Sequence, residues 1–146
     1  MKLAIGTDHR GFELKELLKQ ISQLSDVTLE WYDKGAHEPD PSDYPIYAKA
    51  VCDSILKRES DGGVLLCGSG IGMCIAANRL SGIYAGLVWE PSVAAASKER
   101  DNTNVIVLPA DYISASRAQE ILEAWITSRF AGGRHARRLQ LLEQMR

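Results

Sequence analysis

The chain has 146 residues, of which 45% are hydrophobic and 25% charged, and its formal net charge is −2. This length suffices for one domain with one core and leaves little room for a second, so we expect a single domain over residues 1–146. The net charge excludes a globally basic nucleic-acid-binding protein, so we expect no nucleic-acid partner. No apolar run approaches the ~20 residues that span a bilayer, and the N-terminus turns polar too early for a signal peptide. We therefore expect no membrane partner and a cytoplasmic location.

Short apolar runs alternate with segments of helical spacing, which is typical of an α/β domain. Five apolar runs predict a parallel sheet buried on both faces, with strands at Leu3–Gly6, Thr28–Asp33, Gly63–Cys67, Tyr84–Val88 and Asn104–Leu108. Helices are predicted at Gly11–Leu24, Tyr44–Arg58, Ile71–Leu80, Pro91–Glu99, Ser114–Ser128 and, at the C-terminus, about His135–Met145. The short crossovers between strands predict helices on both faces of the sheet, which makes three layers.

The last predicted helix carries a thin apolar stripe of Leu139, Leu142 and Met145. Such a stripe packs either on a partner subunit or back on its own domain, and both readings stand.

Polar residues follow the first and third predicted strands in the segments "GTDHRG" and "CGSGIG". In an open parallel sheet, ligands bind outside the carboxyl ends of the strands. These two segments are therefore the first place to expect a functional site.

The glycine-rich turn from Gly68 to Gly72 joins a buried strand to a helix. Its spacing does not match G-x-G-x-x-G, and no Lys-Ser/Thr pair follows it, so dinucleotide and nucleoside-triphosphate sites are disfavoured. Two readings remain: a tight turn required for packing, or a row of backbone N–H groups that binds an anion.

Three cysteines are present, Cys52, Cys67 and Cys74, without C-x-x-C spacing, so neither a disulfide framework nor a zinc knuckle is indicated. Cys52 and Cys74 fall inside helical patterns and are predicted to be core residues. Cys67 is either a small buried residue or, because it directly precedes a row of backbone donors that favour a thiolate, a proton-transfer group.

Two further groups of residues allow a structural and a functional reading. Asp8 and His9 follow the first strand, where Asp8 is either the cap of the first helix or, with His9, part of a site. Arg134 and Arg138 stand one turn apart in "GGRHARR" and form either a solvated basic face or a phosphate site.

Taken together, five ordered segments resemble the ribose-5-phosphate isomerase B family, the sugar-phosphate isomerases that also include galactose-6-phosphate isomerase subunits. The segments are "GTDHRGFELK", "DYPIYA", "GVLLCGSGIGMCIAANRLSGIYA", "DNTNV" and "GGRHARR". The resemblance runs in order over nearly the whole chain. It implies a flavodoxin-like sheet of order 2-1-3-4-5 and a homodimer, or a dimer of dimers, whose sites are completed across the interface.

The resemblance also implies aldose–ketose isomerisation of a phosphorylated sugar through a cis-enediol, without metal or cofactor, most simply ribose 5-phosphate to ribulose 5-phosphate. By position, Cys67 would be the base that moves the proton between C1 and C2. The remaining roles follow by position as well: the amides of Gly68, Ser69, Gly70, Ile71 and Gly72 would hold the enediolate, Asp8 and His9 would contact substrate, Tyr44 would line the pocket, and Arg134 and Arg138 would hold the phosphate.

Three positions depart from the family pattern. Arg100 and Asp101 stand where the family usually has His-Asn, that histidine being credited with opening the sugar ring, and Asp111 stands where an arginine often binds phosphate. Arginine does not shuttle protons near neutral pH. Three explanations remain: Arg100 binds the phosphate, with Asp111 orienting it or another guanidinium; the substrate is a tetrose phosphate that needs no ring opening; or it is another pentose or hexose phosphate.

An alternative of a different class is a catalytically silent subunit that binds a sugar phosphate. Such a subunit needs phosphate ligands but no base. The presence of Cys67 together with Asp8 and His9 favours the enzyme.

Overall fold

The computed structural model describes residues 1–145. Its strands are β1 Lys2–Thr7, β2 Gln23–Leu24, β3 Val27–Thr28, β4 Glu30–Asp33, β5 Gly62–Cys67, β6 Ala85–Leu87 and β7 Val105–Pro109. Its helices are α1 Phe12–Leu18, α2 Tyr44–Leu56, α3 Ile71–Asn78, α4 Pro91–Asp101, α5 Ala115–Thr127 and α6 Arg134–Glu143, and a short 3-10 turn, His9–Gly11, precedes α1.

Five strands form one parallel sheet in the order β4-β1-β5-β7-β6. The predicted parallel α/β fold is thus confirmed, but the predicted strand order 2-1-3-4-5 is wrong in its last two places, since the observed order is 2-1-3-5-4. The reason is burial. Every residue of β7 is buried, whereas β6 is a three-residue strand with a central glycine and only half-buried residues, so β7 takes the interior position and β6 the edge.

Helices cover both faces of the sheet and enclose two cores. One core lies beneath α1 and α5 and is built around Leu3, Ile5, Ile106 and Trp125. The other lies beneath α2 and α3, around Val51, Leu65 and Met73, and it includes Cys52 and Cys67. Within the described residues, no helix is both long and apolar enough to cross a membrane.

The first helix ends six residues earlier than predicted. α1 stops at Leu18, and the chain then forms a small antiparallel hairpin in which β2 pairs with β3. The turn between these strands is Ser25-Asp26, two residues that favour turns, and Ser25 has a left-handed φ of 50°. The predicted strand Thr28–Asp33 is therefore divided between this hairpin and the main sheet.

A buried lysine joins α1 to the end of β4. The side chain of Lys15 is fully buried, and its Nζ lies 2.7 Å and 2.8 Å from the two carboxylate oxygens of Asp33 and 2.7 Å from the carbonyl oxygen of Ala36. Lys19 also donates to Asp33, at 2.6 Å. These bonds satisfy the buried ammonium group and fix the start of the loop that leads to α2.

Polar residues or prolines stand at the starts of several elements. The Asp8 carboxylate accepts from the backbone N–H of Arg10 and caps the 3-10 turn, and Ser114 Oγ accepts from the N–H of Arg117 at the start of α5. Asp43 precedes α2, and Pro91 begins α4. Side-chain caps thus mark the starts of the 3-10 turn and α5, and a proline marks the start of α4, whereas α3 begins after Gly70 without a side-chain cap.

Candidate active site

A cavity of about 340 Å³ lies at the carboxyl edge of the sheet, beside the ends of its central strands. Its walls come from the segments after β1, β5 and β7 and from the start of α2. The lining residues are Asp8, Arg10, Tyr44, Cys67, Gly68, Ser69, Gly72, Asp111 and Tyr112. The structure thus brings together residues that are as much as 104 positions apart in the sequence.

Cys67 is the last residue of β5 and lies in the wall of this cavity. Only 5% of its surface is exposed, because the strand is flanked by β1 and β7 and packs against the second core. The carbonyl oxygen of Cys67 accepts from the N–H of Ala110 at 2.9 Å, which ties the residue to the end of β7. The thiol is therefore held on rigid backbone at the point where a bound ligand meets the sheet.

The turn after Cys67 directs the start of α3 toward the same cavity. Gly70 precedes the helix and has a left-handed φ of 77°, which favours glycine. A Cβ at this position would also lie only 2.4 Å from the Leu87 side chain, so both the backbone conformation and the packing require glycine. Ser69 Oγ accepts from the N–H of Ile71 at 3.2 Å. The other N–H groups of the first turn have no acceptor inside the helix, which makes them donors for an anion.

Tyr44 closes the cavity over the first turn of α3. It is the first residue of α2, and a Cβ on Gly72 would lie 2.7 Å to 3.0 Å from three atoms of its ring. The absence of a side chain at Gly72 therefore allows the phenol ring to rest directly on the helix backbone.

An ion pair between Arg10 and Asp111 crosses the top of the turn. The guanidinium Nη2 of Arg10 donates to Asp111 Oδ2, and this hydrogen bond is the first cause that raises the pKa of Arg10 above its ordinary value. Asp111 also donates its backbone N–H to the carbonyl oxygen of Gly68, at 3.0 Å. The pair thus connects the segments after β1 and β7 across the residue that follows Cys67.

His9 is next to Asp8 but does not line the Cys67 cavity. Its Nδ1 accepts from the backbone N–H of Ser42 at 3.2 Å. The ring is half-buried and links the turn after β1 to the segment that precedes α2. In this position His9 supports the two segments that carry Asp8 and Tyr44.

The other two cysteines lie away from the cavity. Burial, with a smaller contribution from Asp53, raises the pKa of the Cys52 thiol to about 12. Burial also raises the pKa of Cys74, which is half-buried in α3. The prediction that Cys52 is a core residue is confirmed, while Cys74 lies at the margin of the same core. Both thiols are protonated at neutral pH and unsuited to proton abstraction.

His9, Gly70 and Ile71 neighbour lining residues without lining the cavity themselves, and four further predicted site residues lie well away from it within one chain. Arg100 and Asp101 form the last turn of α4, which begins at the carboxyl edge and therefore ends at the opposite edge of the sheet, where they line a separate groove against α6. Arg134 and Arg138 are exposed on the first two turns of α6. This helix begins beside the C-terminal end of α4, because the Ala131 N–H donates to the carbonyl oxygen of Glu99. Asp111 holds the guanidinium of Arg10, so of its two predicted partners, Arg100 or another guanidinium, the second is the one found within the chain.

Arg10 and Tyr112 line the cavity but were not predicted as site residues, while Asp111, which was expected to orient a guanidinium, lines it beside them. The predicted strand order explains the omission of Tyr112, because it places strand four between strands three and five and so keeps the segment after strand five away from Cys67. Arg10 follows strand one and was missed although its segment was predicted to carry a site. In the observed sheet β7 pairs directly with β5. The signal in the sequence was the uninterrupted apolar run "VIVLP", which is typical of an interior strand.

The arrangement combines a thiol, a row of N–H donors and a carboxylate around one small cavity. A thiol in this place can take up and return a proton, and N–H groups at fixed positions stabilise negative charge that develops on an oxygen. Within residues 1–145, no three His, Cys, Asp or Glu side chains are grouped as a metal site requires.

Comparison with known proteins gives a consistent result. A family model described as Ribose/Galactose Isomerase matches residues 3–142. Ribose-5-phosphate isomerase B of Escherichia coli (strain K12) is 37% identical over 141 residues, covering 97% of this chain and 93% of that protein.

Solved structures agree closely with the fold. The crystal structure of a ribose 5-phosphate isomerase from Thermotoga maritima superposes with a TM-score of 0.91 at 43% identity, covering 98% of this chain and 97% of that one. Ribose-5-phosphate isomerase B of Mycoplasma genitalium with bound ribulose-5-phosphate superposes with a TM-score of 0.87 at 32% identity, covering 99% of this chain and 95% of that one.

Proposed function

Since the chain belongs to the ribose/galactose isomerase family, we propose that it interconverts an aldose phosphate and a ketose phosphate, with ribose 5-phosphate and ribulose 5-phosphate as the substrate pair. The observation that carries this proposal is the position of Cys67. Its thiol ends a buried strand in the wall of a cavity, directly before the turn that presents the N-terminal amides of α3.

The reaction needs a base for carbon-bound hydrogen and a stabiliser for the negative charge that follows. The Cys67 thiolate removes the proton from C2 of the open-chain aldose, the C–H electron pair forms the C1–C2 double bond, and the carbonyl electrons move to O1. The resulting cis-enediolate loses its O2 proton as O1 is protonated, and the Cys67 thiol returns its proton to C1. Ser69, whose hydroxyl lies on the same turn, is the group that exchanges the hydroxyl protons.

Of the predicted amides, those of Gly68, Ser69, Gly70 and Gly72 serve the enediolate oxygens, because the Ile71 N–H already donates to Ser69 Oγ. Preorganised donors of this kind contribute about 3 kcal/mol each to transition-state stabilisation, because they act without reorganisation. A positioned base adds a further ~10²- to 10⁴-fold in rate. Cys67 and the turn that follows it therefore work as one unit.

The remaining cavity residues orient the sugar. Asp8 lines the wall and, as a carboxylate, accepts hydrogen bonds from sugar hydroxyls, while Tyr44 covers the substrate from the start of α2. His9 holds the segment before α2 through the Ser42 N–H, and its contact with substrate beside Asp8 stays an expectation from the family resemblance.

We also propose that the active unit is a homodimer whose sites are shared, either alone or within a dimer of dimers. Arg134 and Arg138 lie at the opposite edge of the sheet from Cys67. The two edges are about 17–20 Å apart, which is the length of a strand of five or six residues, so these arginines do not reach the cavity of their own chain. A second copy supplies these two exposed guanidinium groups, one helical turn apart, as ligands of the substrate phosphate.

Arg100 favours a second candidate substrate, a tetrose phosphate. A pentose phosphate in furanose form requires an acid and a base to open its ring, and an arginine does not shuttle protons near neutral pH. A tetrose 4-phosphate cannot close a furanose ring, because its terminal oxygen carries the phosphate. Arg100 and Asp101 of the partner subunit would then bind substrate without transferring a proton.

The experiment that tests the proposal is the turnover of tetrose, pentose and hexose phosphates by the purified chain. Ribose 5-phosphate with the highest kcat/KM supports the first substrate, and a tetrose phosphate with the highest value supports the second. Absence of turnover on every sugar phosphate contradicts the isomerase and leaves the silent binding subunit. A cytoplasmic location stays a prediction.

A further inference from the structure

Arg10 is the one cationic side chain that lines the Cys67 cavity, as far as residues 1–145 are concerned. The carboxylates of Asp8 and Asp111 lie in the same wall. A phosphorylated sugar brings a charge of about −1.5 to −2 to this cavity, by analogy with phosphorylated side chains. Without Arg10, that charge would meet only carboxylates from the subunit that carries the thiol.

Arg10 is held by two hydrogen bonds. Its backbone N–H donates to Asp8 Oδ1 at 2.9 Å, and its guanidinium donates to Asp111. Asp111 is itself fixed because its backbone N–H donates to the Gly68 carbonyl oxygen at 3.0 Å. The guanidinium is thus held over the turn that follows Cys67 and does not move freely in solvent.

Gly68 allows this arrangement by having no side chain. A Cβ at this position would lie 2.7 Å from Asp111 Oδ2 and 3.3 Å from Arg10 Nε. The ion pair therefore packs directly on the backbone of the residue next to Cys67, within the reach of a sugar phosphate bound in the cavity.

The guanidinium retains donors for a ligand. An arginine has five N–H donors, and one hydrogen bond from its guanidinium, to Asp111, is found among the described residues. The Arg10 side chain is 57% exposed, so its other donors are open to solvent and to the mouth of the cavity. The planar fork of arginine matches the oxygens of a phosphate group.

On the basis of the proposed function, we propose that Arg10 binds the phosphate group of the substrate and that Asp111 is the residue that positions the Arg10 guanidinium. The enediolate is served by the amides of the turn, whereas the half-exposed Arg10 serves the group whose charge persists throughout the reaction. Arg10 therefore contributes to binding in the ground state and in the transition state alike, and its loss raises KM with little change in kcat.

The test compares Arg10→Gln with wild type in steady-state kinetics and in inhibition by inorganic phosphate. Loss of a charge-assisted contact predicts that KM and the phosphate inhibition constant both rise by about 10- to 100-fold while kcat is nearly unchanged. Arg117→Gln is the matched control, because Arg117 lies at the same edge of the sheet and pairs with Glu120 but does not line this cavity. Its KM is expected to equal that of wild type.

Asp111 is tested by rescue. Asp111→Ala releases the guanidinium and raises KM by a smaller factor, and Asp111→Glu, which keeps a carboxylate, recovers part of the loss. An Arg10→Gln variant whose KM and phosphate inhibition match wild type overturns the inference, as does a variant that loses kcat at unchanged KM.

Calorimetric titration with inorganic phosphate separates this inference from the proposed function. Phosphate binding that is lost in Arg10→Gln supports the role of Arg10 even if no sugar phosphate is turned over, which would contradict only the isomerase. Turnover by a wild-type protein whose phosphate affinity is unaffected by Arg10→Gln contradicts only the role of Arg10.

Discussion

Gly72 shows how a single missing side chain shapes the cavity. The ring of Tyr44 lies where a Cβ would stand, so the phenol reaches the cavity only because residue 72 is glycine. Gly72 lies inside α3 rather than in the left-handed region, so alanine is tolerated by its backbone and favoured by helix propensity.

Gly72→Ala is therefore expected to leave stability near wild type while lowering kcat/KM about 10- to 100-fold, because the displaced Tyr44 ring no longer confines the substrate. Steady-state kinetics and urea unfolding measure the two quantities. The control is Gly72→Ala combined with Tyr44→Ala: the double variant should be no worse than Tyr44→Ala alone. Full additivity of the two losses would show that Gly72 acts by another route.

The Lys15–Asp33 contact is the feature that holds α1 to the loop leading to the site. Lys15 is fully buried and bonded to Asp33 and Ala36, whereas Lys19 is partly exposed. Replacing Lys15 removes the donor to the Ala36 carbonyl oxygen and leaves the Asp33 carboxylate with only Lys19 and the Gly35 N–H.

Lys15→Met is expected to lower the free energy of unfolding by about 3–5 kcal/mol, and Lys19→Met by about 1 kcal/mol or less. Urea denaturation of both variants gives the two free energies of unfolding, and the comparison is matched because the same substitution is made at each lysine. Equal losses for the two lysines would contradict the view that burial of Lys15 decides the energy.

The same carboxylate predicts how stability depends on pH. Burial raises the pKa of Asp33, but hydrogen bonds from Lys15, Lys19 and the Gly35 amide outweigh it, so the net pKa is lowered. A carboxyl whose pKa is lower in the folded state stabilises the protein above its unfolded pKa of about 3.9, and that contribution is lost as pH falls through the folded value.

We expect the unfolding free energy to fall between about pH 5 and pH 2, and to fall less steeply in Asp33→Asn. Urea unfolding across this range gives both slopes. A slope in Asp33→Asn equal to that of wild type would exclude Asp33 as a source of the acid sensitivity.

The sequence predicts most elements well and two features poorly. Continuous apolar runs located the strands because they are buried on both faces, and Ser114 and Pro91 located helix starts through local chemistry. The end of α1 was missed because Ile21 and Leu24 continue an apolar spacing that belongs to the hairpin and the core. Strand order was missed because it depends on relative burial of β6 and β7 rather than on either strand alone.

That second error also limited the predicted site. Cys67, Ser69, Gly68, Gly72, Asp8 and Tyr44 line the cavity as expected. Local residues pointed to the segments after β1 and β5, whereas the pocket position of Tyr44 followed from the family resemblance. Arg10 was not identified as the partner of Asp111, since their pairing requires β7 to be adjacent to β5. Local chemistry is readable from local sequence, whereas contacts between distant loops depend on the topology.

The whole molecule places Arg134 and Arg138 at the opposite edge of the sheet from the Cys67 thiol. Arg134 and Arg138 are exposed near the last turn of α4, and Cys67 lies at the carboxyl ends of the strands. A shared site therefore predicts complementation between inactive subunits.

The experiment unfolds and refolds Cys67→Ala subunits together with Arg134→Ala/Arg138→Ala subunits. The mixture should recover about a quarter of wild-type activity, because half of the dimers contain one subunit of each kind and one of the two sites in such a dimer is intact. Each variant refolded alone is the control and should be inactive. No recovery from a mixture in which mixed dimers are demonstrated would contradict the shared site.

The Cys67 thiol moves the proton in the proposed mechanism. This role is tested most directly by measuring kcat of Cys67→Ser and Cys67→Ala on the preferred sugar phosphate, with Cys74→Ser as the matched control. Both Cys67 variants should fold as wild type and lose at least about a hundredfold in kcat, while Cys74→Ser keeps its activity. Wild-type turnover by either Cys67 variant would contradict the account.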